Sequence, residues 1–250
     1  MPGKNLNLRH SGLLALFTAL LAVPPAFACG PEALGTHRVM AVGMERTARF
    51  GTKSYERTLP LGPKEVVLTF DDGPLPGPTD AVLDVLRKEC VRATFFLIGR
   101  NAAANPGHVR RIAADGHTLA NHSMTHPWTM RQMAHDAAWK NILDGQTAIE
   151  AAAGRSIAPF FRFPGFADTP ALLEALGNRR IAVFGTDLWA SDWNVMRAET
   201  QLALVLGRLR KANGGIILFH DTKRQTAEML PGFLAALRKE GFRVVHIVPK

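Results

Sequence analysis

The chain has 250 residues, 47% of them hydrophobic and 20% charged, which is enough to bury a large core and speaks against disorder. The formal charge is +9, but no run of Lys and Arg is interleaved with aromatics, which argues against a nucleic-acid partner. No internal repeat is visible, and a single α/β domain is ordinary at this length.

The N-terminus reads as a targeting segment. Lys4 and Arg9 precede an apolar run from Leu13 to Val23, then Pro24-Pro25 and the small-x-small Ala26-Phe27-Ala28. This is the pattern of a secretory signal peptide, so residues 1–28 are expected to be removed and the mature chain to start at Cys29. The run is too short for a good membrane span, so no transmembrane helix is expected after cleavage. Loss of Lys4 and Arg9 lowers the formal charge from +9 to +7. A basic secreted or periplasmic protein suits work near anionic polymers such as cell wall. Cys29 and Cys90 are the only cysteines, and in an oxidising compartment they are expected to pair. The rival is lipidation of Cys29, which Ala26-Phe27-Ala28 disfavours because it lacks the Leu usual three residues before a lipidated cysteine.

Residues 29–62 have mixed polarity and read as an N-terminal extension packing on the outside of a domain spanning 63–250. From Glu65 the pattern is regular. Glu65–Phe70 is a buried strand, and Asp80–Glu89 carries Val82, Val85 and Leu86 at helical spacing. Ala93–Ile98 is a strand, Pro106–Asp115 a helix closed by Gly116, and Thr118–Asn121 a short strand. A long helix over about Met130–Ala153 ends at Gly154. Then come a strand at Pro159–Phe163, a helix at Pro170–Leu176 and a strand at Arg180–Phe184. A helix at Glu199–Ala212, a strand at Ile216–Phe219, a helix at Thr226–Glu240 and a strand at Arg243–Val248 complete the chain. About seven strands that are apolar on both faces and alternate with helices imply a parallel sheet covered by helices. The expected fold is a distorted, incomplete (β/α) barrel, with a doubly wound open sheet as the alternative.

In such folds the C-terminal ends of the strands share one face, and chemistry gathers there. The first strand ends in Asp71 and Asp72, then Gly73-Pro74. Adjacent residues leaving a strand point different ways, so one carboxylate can bind a metal while the other stays free as a base. The third strand leads to His122-Ser123-Met124-Thr125-His126, the fourth to Arg162, the fifth to Asp187 and Asp192-Trp193, and the sixth to His220-Asp221. His122 and His126 are four apart, close enough to hold one ion, and Pro127 favours a loop or final turn over a helix there. Two His and one carboxylate make a catalytic-type ligand set with room for water, and the base falls to Asp71 or Asp72. A bare turn for Asp71-Asp72-Gly73, or surface roles for the two histidines, is the plainer reading of either motif alone. Trp189 and Trp193 are more often core than ligand platform. His220-Asp221 also fits a helix N-cap pair.

Thr69-Phe70-Asp71-Asp72-Gly73 followed by His122-Ser-Met-Thr-His126 resembles the polysaccharide deacetylase family, the NodB-homology domain or carbohydrate esterase family 4, over about residues 64–248. The resemblance implies a distorted (β/α) barrel and metal-dependent removal of acetyl groups from N- or O-acetylated sugars. Zinc is the usual ion, with cobalt or nickel sometimes accepted. It implies Asp71 as general base, Asp72, His122 and His126 as metal ligands, Arg162 as the group that tunes the base, and His220 as general acid. Asp192 and Trp193 match the fourth motif, and Asp192 is expected to orient His220. The third motif departs from the family pattern: Arg162-Phe163-Pro164-Gly165-Phe166 stands where Arg-x-Pro-Tyr-Gly is usual, with Gly165 keeping the backbone N–H expected to face an oxyanion. Ile217 replaces a usual Leu three residues before His220. The expectation is a monomeric, secreted deacetylase of an acetylated glycan. The alternatives are a hydrolase of another amide or ester with the same apparatus, and a non-catalytic glycan- or metal-binding module.

Overall fold

The computed structural model describes residues 29–250 together with residues 1 and 3, so the expected signal peptide lies outside the described residues. The strands are β1 (Thr36–Val42), β2 (Arg49–Phe50), β3 (Glu65–Asp71), β4 (Thr94–Leu97), β5 (Thr118–Asn121), β6 (Phe160–Phe161), β7 (Ala182–Phe184), β8 (Leu188–Trp189), β9 (Gly215–His220) and β10 (Arg243–Pro249). The helices are α1 (Pro78–Lys88), α2 (Gly99–Ala104), α3 (Pro106–Ala114), α4 (His135–Ala153), α5 (Pro170–Asn178), α6 (Ala198–Ala212) and α7 (Arg224–Lys239). Every strand pairing is parallel. β3 lies between β9 and β4, and the sheet runs on through β5, β6 and β7. Three residues after β7 the chain enters β8, which pairs with β9 and so brings the ring round. The result is a distorted (β/α) barrel.

Strand alternation sorts the side chains. Val66, Leu68 and Phe70 of β3 face the helices and join a core with Leu83 and Leu86 of α1 and Phe233 of α7. Phe70 stacks between Phe95 and Phe219, with ring centroids 5.1 and 5.5 Å away. Val67, Phe96, Ala120, Phe160 and Ile216 form a second cluster inside the barrel. By the same period of two, Thr69 and Asp71, His122, Arg162, and Leu218 and His220 follow those inward positions at the strand ends. The polar set is therefore placed by the alternation that builds the inner core.

The N-terminal extension differs from the expectation that it lies on the outside. β1 pairs with β10 and β2 with β7, so it supplies two strands of the sheet and covers backbone edges that would otherwise be open. Cys29 and Cys90 are joined in a disulfide, and Thr36 Oγ1 donates to the Cys90 carbonyl nearby. β8 and α2 are also additions to the elements read from sequence. Among the described residues no helix is long and apolar enough to cross a membrane.

One ion pair fastens β1 to the base of β3. Glu65, 5% exposed, accepts hydrogen bonds from Arg38 at 2.9 and 2.7 Å and from the Gly62 N–H at 2.8 Å. The Arg38 hydrogen bond leads in drawing the Glu65 carboxyl from 4.5 down to about 2, against the opposing effect of burial. The folded value lies below the unfolded one. This contribution is therefore full above pH 4.5 and is lost as the pH falls through about 2. Urea unfolding midpoints across that window should fall more steeply for the wild type than for Glu65→Gln; parallel curves would contradict the assignment.

Candidate active site

Asp71 is the last residue of β3 and is 2% exposed. Its Oδ1 accepts a hydrogen bond from Arg162 Nη1 at 2.7 Å. Arg162, fully buried just beyond β6, also donates to Thr69 Oγ1 at 2.9 Å, the Gly185 carbonyl at 2.8 Å and the Phe184 carbonyl at 3.2 Å. Its guanidinium lies 4.2 Å from the centre of the Phe96 ring. Burial pushes the Asp71 carboxyl upward, and the Arg162 charge and hydrogen bond pull against it. A carboxylate held like this is a better proton acceptor than a free one.

Asp72 leaves the strand with φ of 78° and turns away from its neighbour. Its Oδ1 is 3.6 Å from His122 Nε2 and 3.3 Å from His126 Nε2. His122 Nδ1–H donates to the Arg162 carbonyl at 2.7 Å, which leaves the Nε2 lone pair facing Asp72. Burial lowers the His122 pKa to about 3, so the ring is neutral, the form that binds a cation. The 122–126 segment is a loop pinned by amides: Asn121 Oδ1 accepts from the Ser123 N–H, and Asn141 Oδ1 from the Met124 and Thr125 N–H groups. One ligand atom from each of Asp72, His122 and His126 lies within 4.8 Å of the others. Asp72 Oδ1 is buried and has no hydrogen-bond partner. An orphaned carboxylate oxygen facing the Nε2 atoms of two histidines, that of His122 with its lone pair free, fits a divalent cation.

His220 ends β9 beside Asp71, its register partner. Its Nδ1 and its backbone N–H each lie 2.7 Å from an oxygen of Asp192, and Thr226 Oγ1 donates to that carboxylate at 2.7 Å. Nδ1 therefore keeps its proton in either charge state, and Nε2, the nitrogen that titrates, faces the cleft 3.9 Å from Asp72. Burial works against charge on this ring, but the Asp192 hydrogen bond and charge outweigh it, and the pKa rises to about 9.

These groups open on a cavity of about 290 Å³ whose walls include Trp128, Phe163, Gly165, Trp189, Trp193 and Leu218. Gly165 has φ of 55°. Asp187 does not belong to this mouth. Its carboxylate binds Thr52, Thr58 and the Ile216 N–H at the opposite end of β9, because the chain crosses there between its pairing in β7 and its pairing in β8. Asp221 is not a helix cap; it is fully buried and accepts from Thr79. Burial raises its pKa to about 7. Its carboxylate lies over Gly73, where an added Cβ would come within 2.1 Å of Oδ2. His117 accepts from the Ala93 N–H, away from the site. Sequence reasoning missed Trp128, Thr69 and Thr226. Trp128 directly follows His126-Pro127, and Thr69 has the inward parity of Asp71; nothing in the pattern singles out Thr226.

A barrel mouth that sets a buried carboxylate beside a cation-type ligand cluster and a carboxylate-held imidazole is built for attack by water, which makes the protein a hydrolase. Comparison narrows the class. A family model described as Polysaccharide deacetylase matches residues 58–180. A chitooligosaccharide deacetylase of Bradyrhizobium sp. is 33% identical over 206 residues, 76% of this chain and 91% of that protein. A peptidoglycan-N-acetylglucosamine deacetylase of Listeria monocytogenes is 32% identical over 184 residues, 74% of this chain but only 38% of that longer protein. The Bdellovibrio bacteriovorus peptidoglycan deacetylase Bd3279 superimposes with a TM-score of 0.78 at 31% identity, over 88% of this chain and 61% of that one. A family 4 carbohydrate esterase from Streptomyces lividans, in complex with acetate, gives 0.62 at 34% identity, over 74% of this chain and 91% of that one. The chain belongs to the polysaccharide deacetylase family, hydrolases acting on amide bonds.

Arg162→Met strands the Asp71 carboxyl in the interior and is expected to cost about 3–5 kcal/mol of stability. The double variant Asp71→Asn with Arg162→Met should lose less than the two singles together, by a coupling of about 0.5–3 kcal/mol. Urea unfolding of the four proteins measures it, and additive losses would contradict the pairing.

Proposed function

We propose that this chain is a secreted, metal-dependent deacetylase that removes acetyl groups from an N-acetylated, or O-acetylated, glycan. One observation carries the reading: Asp72, His122 and His126 offer ligand atoms within 4.8 Å of one another, with Asp71 left free beside them on Arg162. The named activities of the relatives, on chitooligosaccharides and on peptidoglycan N-acetylglucosamine, support an N-acetylglucosamine unit as the substrate. The Cys29–Cys90 disulfide supports an oxidising compartment and hence secretion.

Asp72, His122 and His126 would hold the cation, with zinc favoured by the mixed imidazole and carboxylate set and cobalt or nickel as substitutes. Bound there, such an ion lowers the pKa of water and polarises a carbonyl. Asp71 takes the proton from the attacking water, and Arg162 keeps its carboxylate aimed and ionised. The Gly165 N–H is the proposed donor to the oxygen that gains charge, a role generally worth a few kcal/mol. His220 protonates the departing amine through Nε2, because an unprotonated amide nitrogen is a very poor leaving group. Asp192 fixes the ring in the needed tautomer. A second reading, hydrolysis of another amide or ester with the same groups, draws on Gly165-Phe166 standing where the family pattern has Tyr-Gly.

Acetate release from N-acetylglucosamine oligomers, set against release from a simple aryl acetate, separates the two readings. Prolonged chelation should abolish activity, and zinc or cobalt should restore it; activity that survives chelation would sink the mechanism. Asp71→Asn is expected to lower kcat about 100- to 10,000-fold with zinc content retained by elemental analysis. His126→Ala should lose the zinc itself.

A further inference from the structure

The cleft has two kinds of apolar wall. Phe163 and Leu218 are 1% and 3% exposed and lie deep, where a group the size of an acetyl methyl would sit. Trp128 and Trp193 are 70% and 46% exposed and stand at the rim. They stand beside different reacting groups. Trp128 meets His126 edge-on, with centroids 4.8 Å apart, and Trp193 meets His220 edge-on at 6.1 Å. A buried methyl pocket leaves the rim indoles nothing to do. Large exposed aromatic area beside a cleft marks a contact surface.

Trp128 is held ready for such a contact. Its backbone follows Pro127, whose carbonyl accepts from the Met130 N–H. One side of the indole covers Gly165, where an added Cβ would come within 2.8 Å of Cε3. The absence of a side chain at residue 165 is what lets the ring lie there. A surface aromatic already fixed on His126 and Gly165 loses little freedom when a ligand covers its open face. The partner must be flat, apolar on one face, and at the surface while the acetyl group is buried. The C–H face of a pyranose with equatorial substituents meets all three requirements.

We propose that Trp128 is a binding platform for the sugar unit next to the acetylated one, on the metal-ligand side of the cleft. The preferred substrate is therefore a chain of linked pyranoses and not a single sugar. This rests on the glycan deacetylase reading above. It adds a second point of contact for the polymer, beside His126.

The test compares wild type, Trp128→Ala and Trp128→Phe on the monomer and tetramer of N-acetylglucosamine and on 4-nitrophenyl acetate, each protein loaded with zinc. Wild type should prefer the tetramer to the monomer. Trp128→Ala should lower the tetramer-to-ester ratio of kcat/KM about tenfold, through KM, as expected for truncating a tryptophan anchor. Trp128→Phe should recover most of that ratio. If tetramer and ester activities fall together, with loss of zinc, the indole only props His126 and the proposal is wrong. An unchanged ratio also overturns it. Wild type that cleaves the ester but releases acetate from neither sugar would instead remove the deacetylase reading, and this proposal with it.

Discussion

The site depends on one buried guanidinium. Arg162 donates from Nη1 to Asp71 and Thr69, from Nη2 to Gly185, and from Nε to Phe184, while its face rests on Phe96. These contacts join β3, β4, β6 and the end of β7 across the barrel interior. A charge this deep is tolerable only when its donors are matched and a counter-charge is at hand, and both conditions are met here. The same residue offers its carbonyl to His122 Nδ1. Arg162 thus fixes the Asp71 carboxylate with its side chain and the His122 imidazole with its backbone. Asp71 and His122 cannot drift independently.

The other half of the site is built separately. Asp192 reaches His220 from the segment after β8, and Thr226 at the start of α7 completes the carboxylate's hydrogen bonds. No hydrogen bond joins Asp192 to Arg162 among those described. The two halves meet where β3 pairs with β9, which sets Asp71 opposite His220. That register decides whether Asp71 and His220 face one cleft, and it is fixed along six residue pairs from Val66–Gly215 to Asp71–His220.

Much of this was legible because strand ends in a parallel barrel share a face, so residues following Phe70, Asn121, Phe161 and Phe219 had to meet. The rule failed at Asp187, where the chain moves from pairing with β6 to pairing with β9 and a residue after one strand lies level with the start of another. β2 and β8 are two residues each and leave no periodic trace. β1 alternates strictly in exposure, but its residue types do not follow, with Val39 and Ala41 on the exposed side and Arg38 on the inner one, so it read as irregular. Trp128 was passed over because an aromatic after His-Pro has no pattern of its own. Its meaning comes from Gly165, 37 positions on, and that contact exists only in the fold.

The adjacent carboxylates show how backbone geometry divides chemical labour. Asp71 is still in the strand, its side chain inward by the same alternation as Val67 and Thr69, and it meets Arg162. Asp72 takes φ of 78°, outside the strand region, and its carboxylate swings toward the histidines. Asp is among the residues that accept this conformation at modest cost. The next residue must then pass close to a buried third carboxylate, that of Asp221, and only glycine leaves room. Asp72 Oδ1 and Asp221 Oδ1 are both buried without a hydrogen-bond partner, but Asp221 also accepts from Thr79, while Asp72 Oδ1 has only the Nε2 atoms of His122 and His126 before it, at 3.6 and 3.3 Å. A proton can quiet Asp221, given its raised pKa. The Asp72 oxygen has no such proton donor beside it and faces the free Nε2 lone pair of His122, an arrangement that suits a cation.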